Sequence, residues 1–117
     1  MPEEPRISAE QIRANIDAIP RIRWSHTPTP LEEWSALRQK LGGPRLLVKR
    51  DDTTGLAYGG NKVRHFEFVL AHVLEQGCDT LIIINNFHSN HARVAAAACV
   101  KAGIRYILIS FDEVDRP

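Results

Sequence analysis

The run Thr80-Leu81-Ile82-Ile83-Ile84 constrains this chain more than any other feature, because it is apolar without alternation and too short to be a helix. A strand that alternated polar and apolar residues would have one wet face, whereas a continuous apolar run is how a parallel strand covered on both faces reads. Residues 106–110 repeat the pattern, and residues 45–50, with Leu46, Leu47 and Val48 at the centre, read as a third strand. Between the strands lie two helical patterns. In residues 61–76, Val63, Phe66, Leu70, Val73 and Leu74 recur at intervals of three and four, and Gly77 stands where a left-handed cap ends such a helix. Residues 90–102 form an alanine-rich helix that can lie close on a sheet, ended by Gly103. Strand, helix, strand, helix, strand is the pattern of right-handed βαβ crossovers, so the expected class is α/β with a parallel sheet. Three such strands alone leave an unpaired edge and one bare apolar face, and Pro117 follows the last strand with no covering helix. The chain is therefore expected to be incomplete or to need a partner surface.

Upstream, residues 1–44 read as helices and an extended arm, and residues 45–117 as the α/β part. Ser8-Ala9-Glu10-Gln11 has capping-box spacing, with Ile12, Ile16 and Ile19 at helical intervals up to Pro20. Pro28 and Pro30 hold the next stretch extended. Leu31, Trp34, Leu37 and Leu41 then predict a second helix, stopped by Gly42-Gly43-Pro44.

Composition narrows the class of function. With 117 residues, 44% of them hydrophobic, the chain can bury one globular core. Fifteen Lys and Arg against 14 Asp and Glu leave a charge of +1, which gives no field for nucleic acid or an anionic membrane. The longest apolar runs, at 80–84 and 94–100, fall far short of the roughly 20 residues that cross a bilayer. Met1-Pro2-Glu3-Glu4-Pro5 is acidic and lacks a signal peptide's positive start, so the cytoplasm is the expected location. Cys78 and Cys99 are too few for a disulfide framework and read as reduced packing residues.

Two strand-to-helix loops carry chemistry, and in open parallel sheets such loops meet outside the carboxyl ends of the strands. The first, residues 51–62, brings Lys62 to a helix start behind Gly55, Gly59, Gly60 and Asn61; the second runs Asn85-Asn86-Phe87-His88-Ser89-Asn90-His91. A lysine amine attacks carbonyl groups in its neutral form, which burial or a nearby cation favours. Lys62 suits that role, and it equally suits a solvated lysine at a helix start. Ser89, Asn90 and His91 place a hydroxyl, an amide and an imidazole beside backbone N–H groups able to hold a carboxylate or phenolate, though Ser89 is also a good N-cap and nothing more. His88 and His91 lack the Cys or carboxylate neighbours that would complete a zinc site. Gly59-Gly60-Asn61-Lys62 is not a nucleotide phosphate loop, since Val63 stands where the hydroxyl belongs, and no Gly-x-Gly-x-x-Gly is present.

Thr29-Pro30-Leu31, Val48-Lys49-Arg50-Asp51-Asp52, the run from Gly55 through Lys62 to Arg64, and Ser89-Asn90-His91-Ala92-Arg93 together resemble the N-terminal part of one family. It is the 1-aminocyclopropane-1-carboxylate deaminase / D-cysteine desulfhydrase family of pyridoxal-phosphate enzymes, of tryptophan-synthase-β-like fold. The resemblance implies pyridoxal 5'-phosphate carried covalently on Lys62, which later moves protons, with Asn61 in the same motif. It places Asn90 near the cofactor's phenolic oxygen and Ser89 at the substrate carboxylate or in catalysis. His91 marks the branch, Ser-Asn-His being the desulfhydrase-like form and Ser-Asn-Gln the deaminase form. A small amino-acid substrate, release of ammonia and a 2-oxo acid, and a homo-oligomer, dimeric in the complete enzyme, are implied as well. Residues 45–117 would then be part of the cofactor-binding region. Asn85-Asn86-Phe87-His88 departs from the family's usual small-residue loop and Gln, which alters the substrate side. The family's phosphate-binding Gly/Thr loop and its pyridine-nitrogen partner have no counterpart in these 117 residues, so negligible activity is expected of this stretch alone. Two alternatives stand beside this expectation: a non-catalytic remnant serving as a binding or assembly module, and a cysteine-synthase-like β-replacement enzyme.

Overall fold

A computed structural model describes residues 7–111; the acidic start at Met1 to Pro5 and the ending at Pro117 lie outside the described residues. Helix α1, Ala9–Asp17, begins with the expected capping box, in which Ser8 Oγ accepts from the Gln11 amide and Gln11 Oε1 accepts from the Ser8 amide. Its stripe of Ile12 and Ile16 stays exposed among the described residues.

The predicted second helix divides. Leu31–Glu33 is strand β1, and helix α2 starts only at Ser35–Leu41. The cause is non-local: β1 pairs antiparallel with β2, Leu47–Lys49, in the register Glu32↔Val48, and the Arg50 amide donates to Pro30 O just beyond. The strand expected at 45–50 therefore exists but belongs to this small ribbon, not to the parallel sheet.

The parallel sheet consists of β3, Thr80–Asn86, and β4, Arg105–Phe111, with Ile82 opposite Ile107. Helix α3, Lys62–Glu75, leads into β3, and helix α4, Asn90–Ala102, connects the two strands. Both helices end as predicted, on Gly77 and Gly103 at φ near +70°, where the next amides turn back to Val73 O and Cys99 O. The core lies between the helices and one face of the sheet: Val63, Phe66 and Leu70 of α3 meet Val94, Ala95, Ala98 and Cys99 of α4, with Leu81, Ile83 and Tyr106 beneath. Alanines at 95 and 98 leave no bulk to hold α3 away.

The other face of the sheet is bare among the described residues, the bare apolar face expected of so few strands rather than the two-sided cover that the apolar run by itself suggests; Ile82 is 56% and Ile84 67% exposed, and Ile107 and Ile109 are about half exposed. Cys99 packs in the core as expected, and burial pushes its thiol up, whereas Cys78 is exposed and packs nothing.

The arm before β1 is fixed to α3 by a buried carboxylate. Glu67 Oε1 accepts from the Trp24 and Ser25 amides at 2.7 and 2.6 Å and from Ser25 Oγ at 2.7 Å, while Arg21 Nη2 stands 3.2 Å from Oε2. Burial works against this charge, but the Ser25 and Trp24 hydrogen bonds and the Arg21 guanidinium outweigh it and keep the carboxyl below its ordinary range.

Candidate functional site

The first loop is two 3₁₀ turns, Asp51–Thr54 and Leu56–Tyr58, wound around Asp51. The Asp51 carbonyl accepts from the Gly60 amide at 2.7 Å, and the buried Thr54 hydroxyl shares its proton between Asp51 O and Gly60 O, at 2.9 and 3.0 Å. The Asp51 carboxylate accepts from Arg64 Nε and Nη2 at 2.9 and 2.8 Å and from Thr29 Oγ1 at 2.8 Å. Those bonds, Arg64 first, hold its carboxyl down at about 2. One aspartate thus ties the arm, the loop and the first turn of α3 together.

Backbone strain concentrates just ahead of Lys62. Ala57 and Tyr58 hold φ of 50° and 65°, a region that costs side-chain-bearing residues roughly 1–2 kcal/mol each. Gly59, at φ +72°, cannot be replaced freely, because a Cβ there would lie 2.0 Å from Asp52 O. A Cβ at Gly60 meets nothing within 4 Å, so the flank beside Lys62 is open. Lys62 is the first residue of α3 and half-buried, and among the described residues its amine has no carboxylate partner; Asn61 before it is exposed and its side chain caps nothing.

The second loop turns from β3 into α4. Ser89 is the N-cap, its Oγ accepting from the Ala92 amide at 3.3 Å, which leaves the hydroxyl proton free to donate elsewhere. Asn90 opens the helix and is exposed, and its Oδ1 accepts from Arg93 Nη2 at 3.1 Å. Asn86 Oδ1 and Arg93 Nη1 are buried without partners among the described residues.

The two loops meet, though by a different route from the one expected. Since β2 lies outside the parallel sheet, the strand ends do not align them; the packing of α3 on α4 does. The His91 ring lies 4.8 Å from Phe66 and 5.3 Å from His65, and Lys62 is near enough to act on its charge. Burial lowers the His91 imidazole's pKa, and the positive charges of His65 and Lys62 lower it further. His65, beside His91, had no place in the sequence reading, although its spacing of three from Lys62 puts both on one helix face. His88 is exposed, and no cluster of three or more His, Cys, Asp or Glu suited to a metal occurs among the described residues. Lys62, close enough to His91 to act on its charge, and the N-terminus of α4, where His91 stands, offer positive potential to an anionic ligand.

Comparison with known proteins agrees with the expected fold and cofactor. The chain is 43% identical over 99 residues to a Pyrococcus abyssi protein provisionally named 1-aminocyclopropane-1-carboxylate deaminase, matching 85% of this chain and 30% of that one. It is 43% identical over 95 residues to D-cysteine desulfhydrase of Klebsiella pneumoniae, matching 81% of this chain and 29% of the relative. A crystal structure of an ACC deaminase homologue superimposes with a TM-score of 0.80 at 36% identity, over 88% of this chain and 32% of that one. The chain thus spans about 30% of the length of these relatives. No helix among the described residues is long and apolar enough to cross a membrane. Residues 22–116 match the family described as pyridoxal-phosphate dependent enzyme, and with the Lys62 loop and the α4 N-terminus inside that span, the chain belongs to that family.

Proposed function

We propose that this chain is the part of a pyridoxal-phosphate-dependent lyase or deaminase that carries the cofactor, covalently, on Lys62. The observation behind this reading is the half-buried Lys62 amine, without a carboxylate partner among the described residues and close enough to His91, near the start of α4, to act on its charge. The residues present fit the cofactor. They offer an amine for its aldehyde, an open flank at Gly60, and donors for its oxygens from Asn90 and from the exposed, uncapped Asn61.

When bound, the cofactor supplies an electron-withdrawing ring that acidifies the α-proton of an attached amino acid. Lys62 Nζ takes that proton and returns it. The Ser89 hydroxyl and the first amides of α4 hold the substrate carboxylate, and the His91 imidazole, kept neutral by burial and by its cationic neighbours, gives that carboxylate an N–H. Asn90 would hold the cofactor's phenolic oxygen on this reading.

The substrate on this reading is a small amino acid of the D-cysteine kind. Its balance is D-cysteine plus water giving pyruvate, ammonia and hydrogen sulfide. Ser89-Asn90-His91 supports that choice over opening of a cyclopropane ring. The reading carries with it a homo-oligomeric enzyme of the cytoplasm, and little turnover from these 117 residues alone. Borohydride reduction of the protein saturated with pyridoxal phosphate, followed by peptide mass mapping, tests it. Pyridoxyl on Lys62 is expected; label on Lys40, Lys49 or Lys101 instead, or no label, overturns it.

A further inference from the structure

We propose that Arg93 is a positioning residue: its guanidinium grips the Asn90 carboxamide by the oxygen, so that Asn90 turns its N–H2 group, never its acceptor, toward the cofactor. The inference rests on the reading of Lys62 and Asn90 given above and extends it to a residue of α4 that had no role there.

A carboxamide can rotate by half a turn and present either end. Asn90 is exposed at the first residue of α4, so packing does not choose for it. Arg93 does. It lies one turn on, its Nη2 is 3.1 Å from Asn90 Oδ1, and an arginine has donors only, so the amide oxygen alone can face it. No other acceptor among the described residues is paired with the fork. Arg93 has no carboxylate partner among the described residues, and its other terminal nitrogen, Nη1, is buried and unpaired. With its oxygen occupied, Asn90 has two N–H donors left over. An ionised ring oxygen needs a donor, and an amide carbonyl in its place would repel it.

Four proteins test this: the wild type, Asn90→Asp, Arg93→Met and the double variant. Asn90→Asp keeps an acceptor for Arg93 but replaces the outward N–H2 by a second acceptor oxygen. In thermal unfolding without cofactor, Asn90→Asp should be at least as stable as the wild type, and part of that stability should vanish in the Arg93→Met background. Any gain from an acidic residue at a helix start occurs in both backgrounds and cancels in the cycle. In titrations with pyridoxal phosphate followed by absorbance, Asn90→Asp should bind about tenfold more weakly despite its stability. Arg93→Met should weaken binding and raise the pH midpoint of the bound cofactor's absorbance change. A cycle with no coupling between positions 90 and 93, or an Arg93→Met protein with wild-type affinity and midpoint, overturns the proposal. If the wild type takes up no cofactor at Lys62, it is the reading of Lys62 that fails, and the unfolding cycle still shows whether positions 90 and 93 lie in contact, without which the proposal falls.

Discussion

Replacing Asp51 by Asn should destabilise the protein at neutral pH and leave it nearly unaffected in strong acid. Asp51 accepts three side-chain hydrogen bonds from Arg64 and Thr29, and these pull its carboxyl from 3.8 to about 2. A displacement of that size is worth up to about 2.4 kcal/mol of folding free energy. The pair is 23% and 36% exposed, so solvent screening reduces the expected cost of Asp51→Asn to about 1–2 kcal/mol. The sign with pH follows from the depressed value. Above about pH 4 the carboxylate is charged in both folded and unfolded chains and the stabilisation is complete. As the pH falls from 4 to 2 the unfolded chain takes up the proton first, and the advantage over the Asn variant disappears. Urea unfolding followed by Trp24 and Trp34 fluorescence at pH 7, 5, 3 and 2.5 measures it. A gap between wild type and Asp51→Asn that is the same at pH 7 and pH 2.5 refutes the electrostatic account. Because Arg64 lies two residues beyond Lys62, the variant should also take up less pyridoxal phosphate at pH 7.

Gly59→Ala should cost about 2–4 kcal/mol, since its Cβ meets the Asp52 carbonyl at 2.0 Å, whereas Gly60→Ala meets open space and should cost only about 1 kcal/mol of backbone strain; equal melting temperatures would contradict this. Glu67→Gln should lose about 2–3 kcal/mol and redden Trp24 fluorescence, because a buried acceptor serving two amides and a hydroxyl becomes partly a donor; an unmoved spectrum would show that the arm is held by other contacts. His91 should titrate below 6.5 in proton NMR, and His65→Gln should raise its midpoint while His72→Gln leaves it alone. Since unfolded His91 accepts a proton before folded His91 does, its contribution lowers stability as the pH falls below about 6.5; a midpoint at or above 6.5 in the folded protein would reverse that sign.

Helices α3 and α4 were legible to within a residue because their signals are local: apolar spacing inside, a glycine at φ near +70° beyond each end, and Ser89 ahead of α4. Strand β1 was not legible. Leu31-Glu32-Glu33 has no strand propensity of its own and continues the helical spacing of Trp34, Leu37 and Leu41; its extended form comes from pairing with residues 47–49, a contact that no local window contains. The apolar run at 80–84 marks a strand with two faces able to be buried, and because the described residues supply only one layer of helices, the second face stays bare, as so small a sheet implied. The meeting of the Lys62 and Ser89 loops was predicted from strand ends, yet it arises from α3 lying against Ala95 and Ala98.

That packing also sorts charge. At about 100° per residue, positions 62, 65 and 66 of α3 share one face and positions 64 and 67 the opposite one. On the far face Arg64 is matched by Asp51 and Glu67 by Arg21, so each charge that ties α3 to the arm is neutralised by a partner. On the near face Lys62 and His65 look across to His91, and Arg93 follows on α4, with no carboxylate paired to Lys62 or Arg93 among the described residues. One helix therefore carries its matched charges on one face and, beside the core residue Phe66 on the other, a Lys62 with no carboxylate partner among the described residues. On the proposed reading, an anionic cofactor beside Lys62 would meet its charge without first breaking an ion pair, which is how the Asp51 and Glu67 networks bear on the site although neither carboxylate is part of it.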